Sequence, residues 1–129
     1  MSLKIIIIGG GIGGTAAALA LLRASFDVRV YEQVAAKTEV GAGIQLSPNA
    51  TRLLQRYGLG EALKLRGVRP DAIEVRRWQD GATLSLEPLG DTIEQSYGAP
   101  YYHIHRADLL SVLSNALPAD VAHGKVDYY

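Results

Sequence analysis

Gly9, Gly11 and Gly14 stand at the spacing G-x-G-x-x-G, within the run Gly9-Gly10-Gly11-Ile12-Gly13-Gly14. Glycines so placed serve a backbone that must approach a pair of linked phosphates. Gly9 permits a tight strand-to-helix turn, Gly11 leaves room for the phosphates, and Gly14 lets the helix sit close on a sheet. Around Ile12 and Gly13 a helix N-terminus offers unpaired N–H groups and partial positive charge. Glu32, with Gln33 after it, lies about 20 residues beyond the glycines, where a carboxylate accepts from a ribose 2′-OH and repels a 2′-phosphate. Dinucleotide binding is the chemistry these residues allow. NAD and FAD both carry an ADP half, so the fingerprint does not separate them. A structural glycine turn and a solvated strand-end charge are the bland alternatives.

The elements that must position these residues arrive in the right order. Leu3 to Ile8 is a continuous apolar run rich in β-branched residues. It does not alternate, and so predicts a strand buried on both faces of a parallel sheet. Thr15 to Ala24 predicts a helix, with Ala18, Leu21 and Leu22 toward the sheet. Phe26-Asp27 breaks the pattern. Val28, Val30 and Tyr31 then form a second strand that ends at Glu32.

Further along, Ala35 to Glu39 is polar and predicts a loop. The segment Gly41-Ala42-Gly43-Ile44-Gln45-Leu46 brackets an alanine with glycines. It reads equally as backbone that approaches something closely and as a plain flexible loop. Ser47-Pro48 opens a helix with an N-cap and a proline in its first turn. Leu53, Leu54 and Tyr57 form its expected apolar side, and Gly58 stops it. Glu61 to Leu65 predicts a short helix. Ala72 to Trp78 alternates apolar and polar, Asp80-Gly81 is a hairpin signal, and Ala82 to Leu86 is the partner strand. Glu87 to Ala99, with Pro88, Gly90 and Gly98, reads as a loop. Tyr101 to His105 predicts a strand. Ala107 to Leu117 predicts a helix with Leu109, Leu110, Leu113 and Leu117 on one side, closed by Pro118. Asp120 to Ala122 and Lys125 to Tyr129 are candidate terminal strands.

Composition removes several other functions. The 129 residues suffice for one domain and one modest core. Hydrophobic residues make up 48% and charged residues 20%, which argues against global disorder. Thirteen basic residues balance thirteen acidic ones, so no nucleic-acid partner is expected. There is no cysteine, which removes disulfides, thiolate metal sites and thiol nucleophiles. Ile5 to Leu22 carries no charge, but its five glycines disfavour a membrane span or signal peptide. The chain reads as an ordinary soluble protein, expected in the cytoplasm. His103 and His105 share a strand face, yet nothing supplies a third ligand at useful spacing, so no metal site is expected. Arg76-Arg77 reads as solvated charge and Tyr101-Tyr102 as strand packing.

Together the motifs resemble the N-terminal part of the single-component FAD-dependent aromatic hydroxylases, such as salicylate hydroxylases and 6-hydroxynicotinate 3-monooxygenases. The resemblance rests on the glycine run at 9–14, on Glu32-Gln33, on Gly41 to Ala50, and on His105-Arg106-Ala107-Asp108-Leu109-Leu110. It implies FAD as cofactor, with Glu32 on the adenosine ribose, Gln45 beside the flavin, and Arg106 on the ribityl or pyrophosphate region. It makes the segment from Gly41 to Ala50 a flavin contact. In such enzymes NAD(P)H reduces the flavin and O₂ supplies an oxygen atom to an electron-rich ring, with CO₂ leaving in decarboxylating members. The cofactor supplies the chemistry, while the protein orients the ring and excludes water.

The implied fold is α/β: a truncated Rossmann-like βαβ FAD/NAD(P)-binding domain with an antiparallel hairpin from the start of a substrate layer. Residues 1–34 would be the ADP-binding unit, 72–100 the start of an inserted substrate layer, and 101–129 the return to the FAD domain. Family members are about three times this length, so the chain is expected to be an N-terminal portion lacking turnover by itself. No catalytic base is assignable. A small aromatic molecule is the implied substrate. Self-association, or completion by a C-terminal chain, is the implied protein partnership. A non-catalytic module that binds NAD or FAD is the alternative function.

Overall fold

The computed structural model describes residues 3–34 and 41–118. In chain order the elements are β1 (Lys4–Ile8), α1 (Ile12–Arg23), β2 (Asp27–Tyr31), β3 (Gly43–Leu46), α2 (Pro48–Arg56), α3 (Gly60–Arg66), β4 (Ala72–Arg76), β5 (Thr83–Pro88), α4 (Gly90–Tyr97), β6 (Tyr102–His105) and α5 (Arg106–Asn115). The chain divides into two compact units, one formed by 1–42 with 106–129 and the other by 43–105.

In the first unit β1 and β2 pair in parallel, with Ile5 opposite Val28 and Ile7 opposite Val30. The α1 crossover joins them as a βαβ unit. Ala18, Val28 and Val30 are buried together, and Ile7, Leu21, Leu22, Phe26 and Leu117 pack against them. This is the helix face the sequence predicts. The helix starts at Ile12, ahead of the expected Thr15, because its first turn takes in Gly13 and Gly14. After its end Ser25 adopts a left-handed φ of 65°, which turns the chain back toward β2. α5 packs on α1 and buries Leu109, Leu110, Val112 and Leu113.

The expected two-sided burial of β1 is corrected. Ile5 and Ile7 are half-buried, whereas Ile6 and Ile8 are 56% and 63% exposed. Successive side chains of a strand point to opposite faces. Among the described residues of this unit the sheet has two strands, and the side bearing Ile7 carries the packed apolar cluster.

In the second unit β3 and β6 pair antiparallel, with Gln45 opposite His103 and Gly43 opposite His105. On its other edge β6 is bridged by Val68. Thus β6, expected to open the segment 101–129, pairs within this unit. α2 carries Ser47 as N-cap and Pro48 in its first turn, as predicted, although the Ser47 hydroxyl bonds Asn49 rather than a helix amide. Its buried side is Pro48, Thr51 and Leu54. Leu53 is 46% exposed, so its expected place in the apolar side is corrected. Thr51 is fully buried, and its hydroxyl donates to the Pro100 carbonyl at 2.6 Å. This bond lets a polar side chain occupy a core position. Gly67 also has a packing reason: a Cβ there would stand 2.8 Å from the Leu63 carbonyl and 2.9 Å from the Tyr102 ring.

The β4–β5 hairpin forms as predicted, with Gly81 at φ 73° and Arg77 gripping both Asp80 carboxylate oxygens at 2.9 and 2.6 Å. The loop expected over 87–99 is corrected, because it contains α4. Its glycines bound the helix instead of interrupting it, with Gly90 at the start and left-handed Gly98 as the C-cap. Tertiary contacts hold both ends. Arg69 reaches Asp91 at 3.0 Å and Glu94 at 2.8 Å, and Arg52 donates to the Tyr97 carbonyl at 3.1 Å. The loop expected at 35–39 and the strands expected at 120–122 and 125–129 lie outside the described residues.

Candidate functional site

The glycine turn follows β1, where a strand end must become a helix start within three residues. Gly9 has φ 103°, a value side chains rarely adopt, and its amide donates to the Tyr31 carbonyl at 2.7 Å. The turn is thereby tied to the end of β2. Gly14 is required by close approach, since a Cβ there would stand 1.9 Å from the Gly9 carbonyl oxygen. Thr15, almost fully buried, donates from Oγ1 to the Gly10 carbonyl at 2.9 Å.

The other side of the turn is open. A Cβ on Gly9, Gly11 or Gly13 would meet nothing within 4 Å. Gly11 is the N-cap of α1, and the first turn carries no acidic side chain. The first amides of a helix have no carbonyl one turn back, so those of Ile12 and Gly13 have no intrahelical acceptor. The positive end of the helix dipole points the same way. An anion fits this space, and a negatively charged side chain does not compete for it from the helix itself.

Glu32 closes the turn. Its Oε2 accepts the Gly10 amide at 2.6 Å and its Oε1 accepts the Val34 amide at 2.9 Å. The Val34, Gly10 and Gln33 amides hold its pKa below the ordinary 4.5, against a smaller opposing effect of partial burial. The two oxygens together can accept about four hydrogen bonds, so acceptor capacity remains on the carboxylate for a ribose hydroxyl. A Cβ at Gly10 would lie 3.0 Å from the Glu32 Cβ. Gly10 stands at a variable position of the motif, where the G-x-G-x-x-G spacing by itself asks for no glycine. Its being a further glycine within the run was the available signal.

The remaining candidates divide between the units. Gln33 is exposed beside Glu32. Arg106 opens α5 in the first unit, and its amide donates to the Ala42 carbonyl at 3.4 Å. A Cβ on Gly41 would stand 3.3 Å from the Arg106 Cβ. The close approach suggested by the glycine at 41 is therefore to this arginine. Gln45 is exposed on β3 in the second unit, in register with His103. Among the described residues no three His, Asp or Glu side chains gather as a metal site, and no helix is long and apolar enough to cross a membrane.

A parallel βαβ unit whose glycine turn opens a helix, with a carboxylate at the end of the second strand, defines the class of dinucleotide-binding α/β domains. The chain belongs to the FAD binding domain family, whose profile matches residues 2–124. It is 51% identical over 118 residues to a 3-amino-4-hydroxybenzoate 2-monooxygenase of Streptomyces platensis, covering 92% of this chain and 30% of that protein. It is 45% identical over 116 residues to a 6-hydroxynicotinate 3-monooxygenase of Bordetella bronchiseptica, covering 90% of this chain and 30% of the relative. Among solved structures, Klebsiella pneumoniae HpxO complexed with FAD and uric acid superposes with a TM-score of 0.80 at 27% identity, over 95% of this chain and 31% of that one. The chain thus spans about 30% of the length of the curated relatives it matches.

Proposed function

We propose that this chain forms the ADP-binding portion of an FAD-dependent monooxygenase. The whole enzyme would hydroxylate an aromatic carboxylate or similar ring with NAD(P)H and O₂. The observation that carries the cofactor half is the clasp of Glu32 on the glycine turn, which leaves open amides and carboxylate acceptors side by side. The aromatic hydroxylation is supported by the relatives, named for monooxygenation of hydroxybenzoates and hydroxynicotinate.

In this reading Gly9, Gly11, Ile12, Gly13 and Gly14 hold the pyrophosphate, and Glu32 with Gln33 the adenosine ribose. Arg106 contacts the ribityl or pyrophosphate region, and Gln45 stands beside the flavin. The flavin, when bound, supplies the redox and oxygen chemistry. The chain's own work is positional: backbone amides neutralise phosphate charge, Gly14 keeps α1 close to the sheet, and Glu32 orients the adenosine. Residues 1–34 serve as the ADP unit, 72–100 as the start of a substrate layer, and 101–129 as the return to the FAD domain. Association with a second copy or with a C-terminal chain would cover the exposed Leu3, Ile6 and Ile8. A cytoplasmic setting would supply the NAD(P)H.

Flavin fluorescence titration of the full chain tests the binding, with NAD and NADP as competitors. Quenching by FAD that NAD displaces only weakly supports the proposal. Equal binding of NAD and FAD would instead mark a general dinucleotide module. NADH oxidation stimulated by an aromatic carboxylate tests the activity, and a flat trace beside normal FAD binding leaves this chain as a binding portion alone.

A further inference from the structure

His103 carries the one buried side-chain polar atom, among the described residues, that has no hydrogen-bond partner: its Nε2. Buried polar atoms are nearly always paired, and an orphan calls for an explanation. The residue itself is firmly placed. Its amide donates to the Val68 carbonyl and its carbonyl accepts the Val68 amide, both at 2.8 Å. The Tyr101 ring meets the imidazole edge-on, with centroids 5.6 Å apart and planes at 62°. The nitrogen is thus unpaired on a ring fixed at its backbone and against a neighbouring ring.

On the opposite edge from Val68, His103 is in register with Gln45. Antiparallel partners project from the same face, with Cβ atoms about 4.5–5.5 Å apart. Gln45 is exposed, and its long side chain ends in a carboxamide that both donates and accepts. Whichever imidazole nitrogen carries the proton, that carboxamide presents the complementary group.

We propose that His103 is a positioning residue: its Nε2 pairs with the Gln45 carboxamide when a flavin ring lies against β3, holding the carboxamide in one orientation toward that ring. The inference rests on the reading of Gln45 as a flavin neighbour. It explains why a fixed ring nitrogen is kept unpaired beside an exposed amide.

The test titrates the full chain, labelled with ¹⁵N-histidine, with FAD while following flavin fluorescence and the His103 Nε2 resonance together. The expected result is a saturable shift of Nε2 that tracks flavin quenching and is lost in Gln45→Leu. His103→Phe is expected to weaken FAD binding about tenfold and to give the same bound-flavin absorbance spectrum as Gln45→Leu. In the Gln45→Leu background His103→Phe has no further effect. His103→Gln, whose amide reaches the place of Nε2, restores most of the loss. An Nε2 resonance unmoved at flavin saturation, or additive effects of the two substitutions, overturns the inference and leaves the cofactor reading standing. Absence of flavin quenching by the wild-type chain overturns the cofactor reading and this inference with it. Should His103→Phe fail to fold by circular dichroism, the Nε2 shift in the wild type and in Gln45→Leu decides.

Discussion

The Gly10 amide donates to Glu32 Oε2 at 2.6 Å, across 22 positions of sequence. A second amide, from Val34, occupies the other oxygen at 2.9 Å. The carboxylate is therefore pinned by backbone before any sugar arrives. Two anchored oxygens with acceptor capacity to spare present a fixed edge to a diol, and such a group loses little freedom when it binds.

Removing this clasp should affect both ligand and fold. Glu32→Ala deletes the ribose acceptor and leaves the Gly10 and Val34 amides without it. Hydrogen bonds to a charged group contribute about 1.5–3 kcal/mol each. Affinity for FAD or ADP-ribose should fall at least about tenfold, measured by calorimetry. Glu32→Gln should fall between the two, because its carbonyl can still accept from one amide.

The same carboxylate sets an acid limit. Its folded pKa lies below 4.5, so its stabilising effect is fully present above the unfolded value and is lost as pH falls through the folded one. Adenosine binding attributable to Glu32 should be flat through neutral and mildly acidic pH and decline only below that range. Glu32→Gln should lack this acid limb. Fluorescence titration over a pH series checks both.

Two adjacent glycines of α1, Gly14 and Gly13, should respond in opposite ways. Gly14→Ala forces a Cβ to within 1.9 Å of the Gly9 carbonyl, and should destabilise the chain by about 3 kcal/mol or more. Gly13→Ala meets nothing within 4 Å and lies in α1. It should raise stability by up to about 1 kcal/mol while obstructing phosphate at the open amides. Urea midpoints and FAD titrations of the two variants read these effects separately.

Thr51 offers a test in the second unit. Its hydroxyl satisfies the Pro100 carbonyl at 2.6 Å inside the core. Thr51→Val keeps the shape and leaves that carbonyl unpaired, which should cost about 1–3 kcal/mol. The thermal midpoint should fall accordingly. An unchanged midpoint would show that the buried bond contributes nothing net.

The amino-acid order alone determined the elements whose signals are local. The apolar run before Gly9, the Ala- and Leu-rich helix, Ser47-Pro48 and the Asp80-Gly81 turn each act over a few residues, and each element forms, with α1 starting at Ile12 rather than Thr15. The candidate ADP site was legible for the same reason, because its glycines and Glu32 are spaced by one βαβ unit. Tertiary structure decided what depends on distant partners. Residues 90–97 are helical although their flanking glycines alone read as loop, and their partners Arg69 and Arg52 come from elsewhere in the chain. Thr51 sits in the core with its hydroxyl donating a hydrogen bond to the Pro100 carbonyl, and Leu53 is turned outward. Ile6 and Ile8 face away from the packed cluster of the first unit, although composition cannot tell a strand covered once from one covered twice. Glu32 reaches the Gly10 amide across 22 positions, and His103 stands opposite Gln45 by strand register. Register brings together residues that no local pattern relates, since their proximity arises only when two strands choose each other.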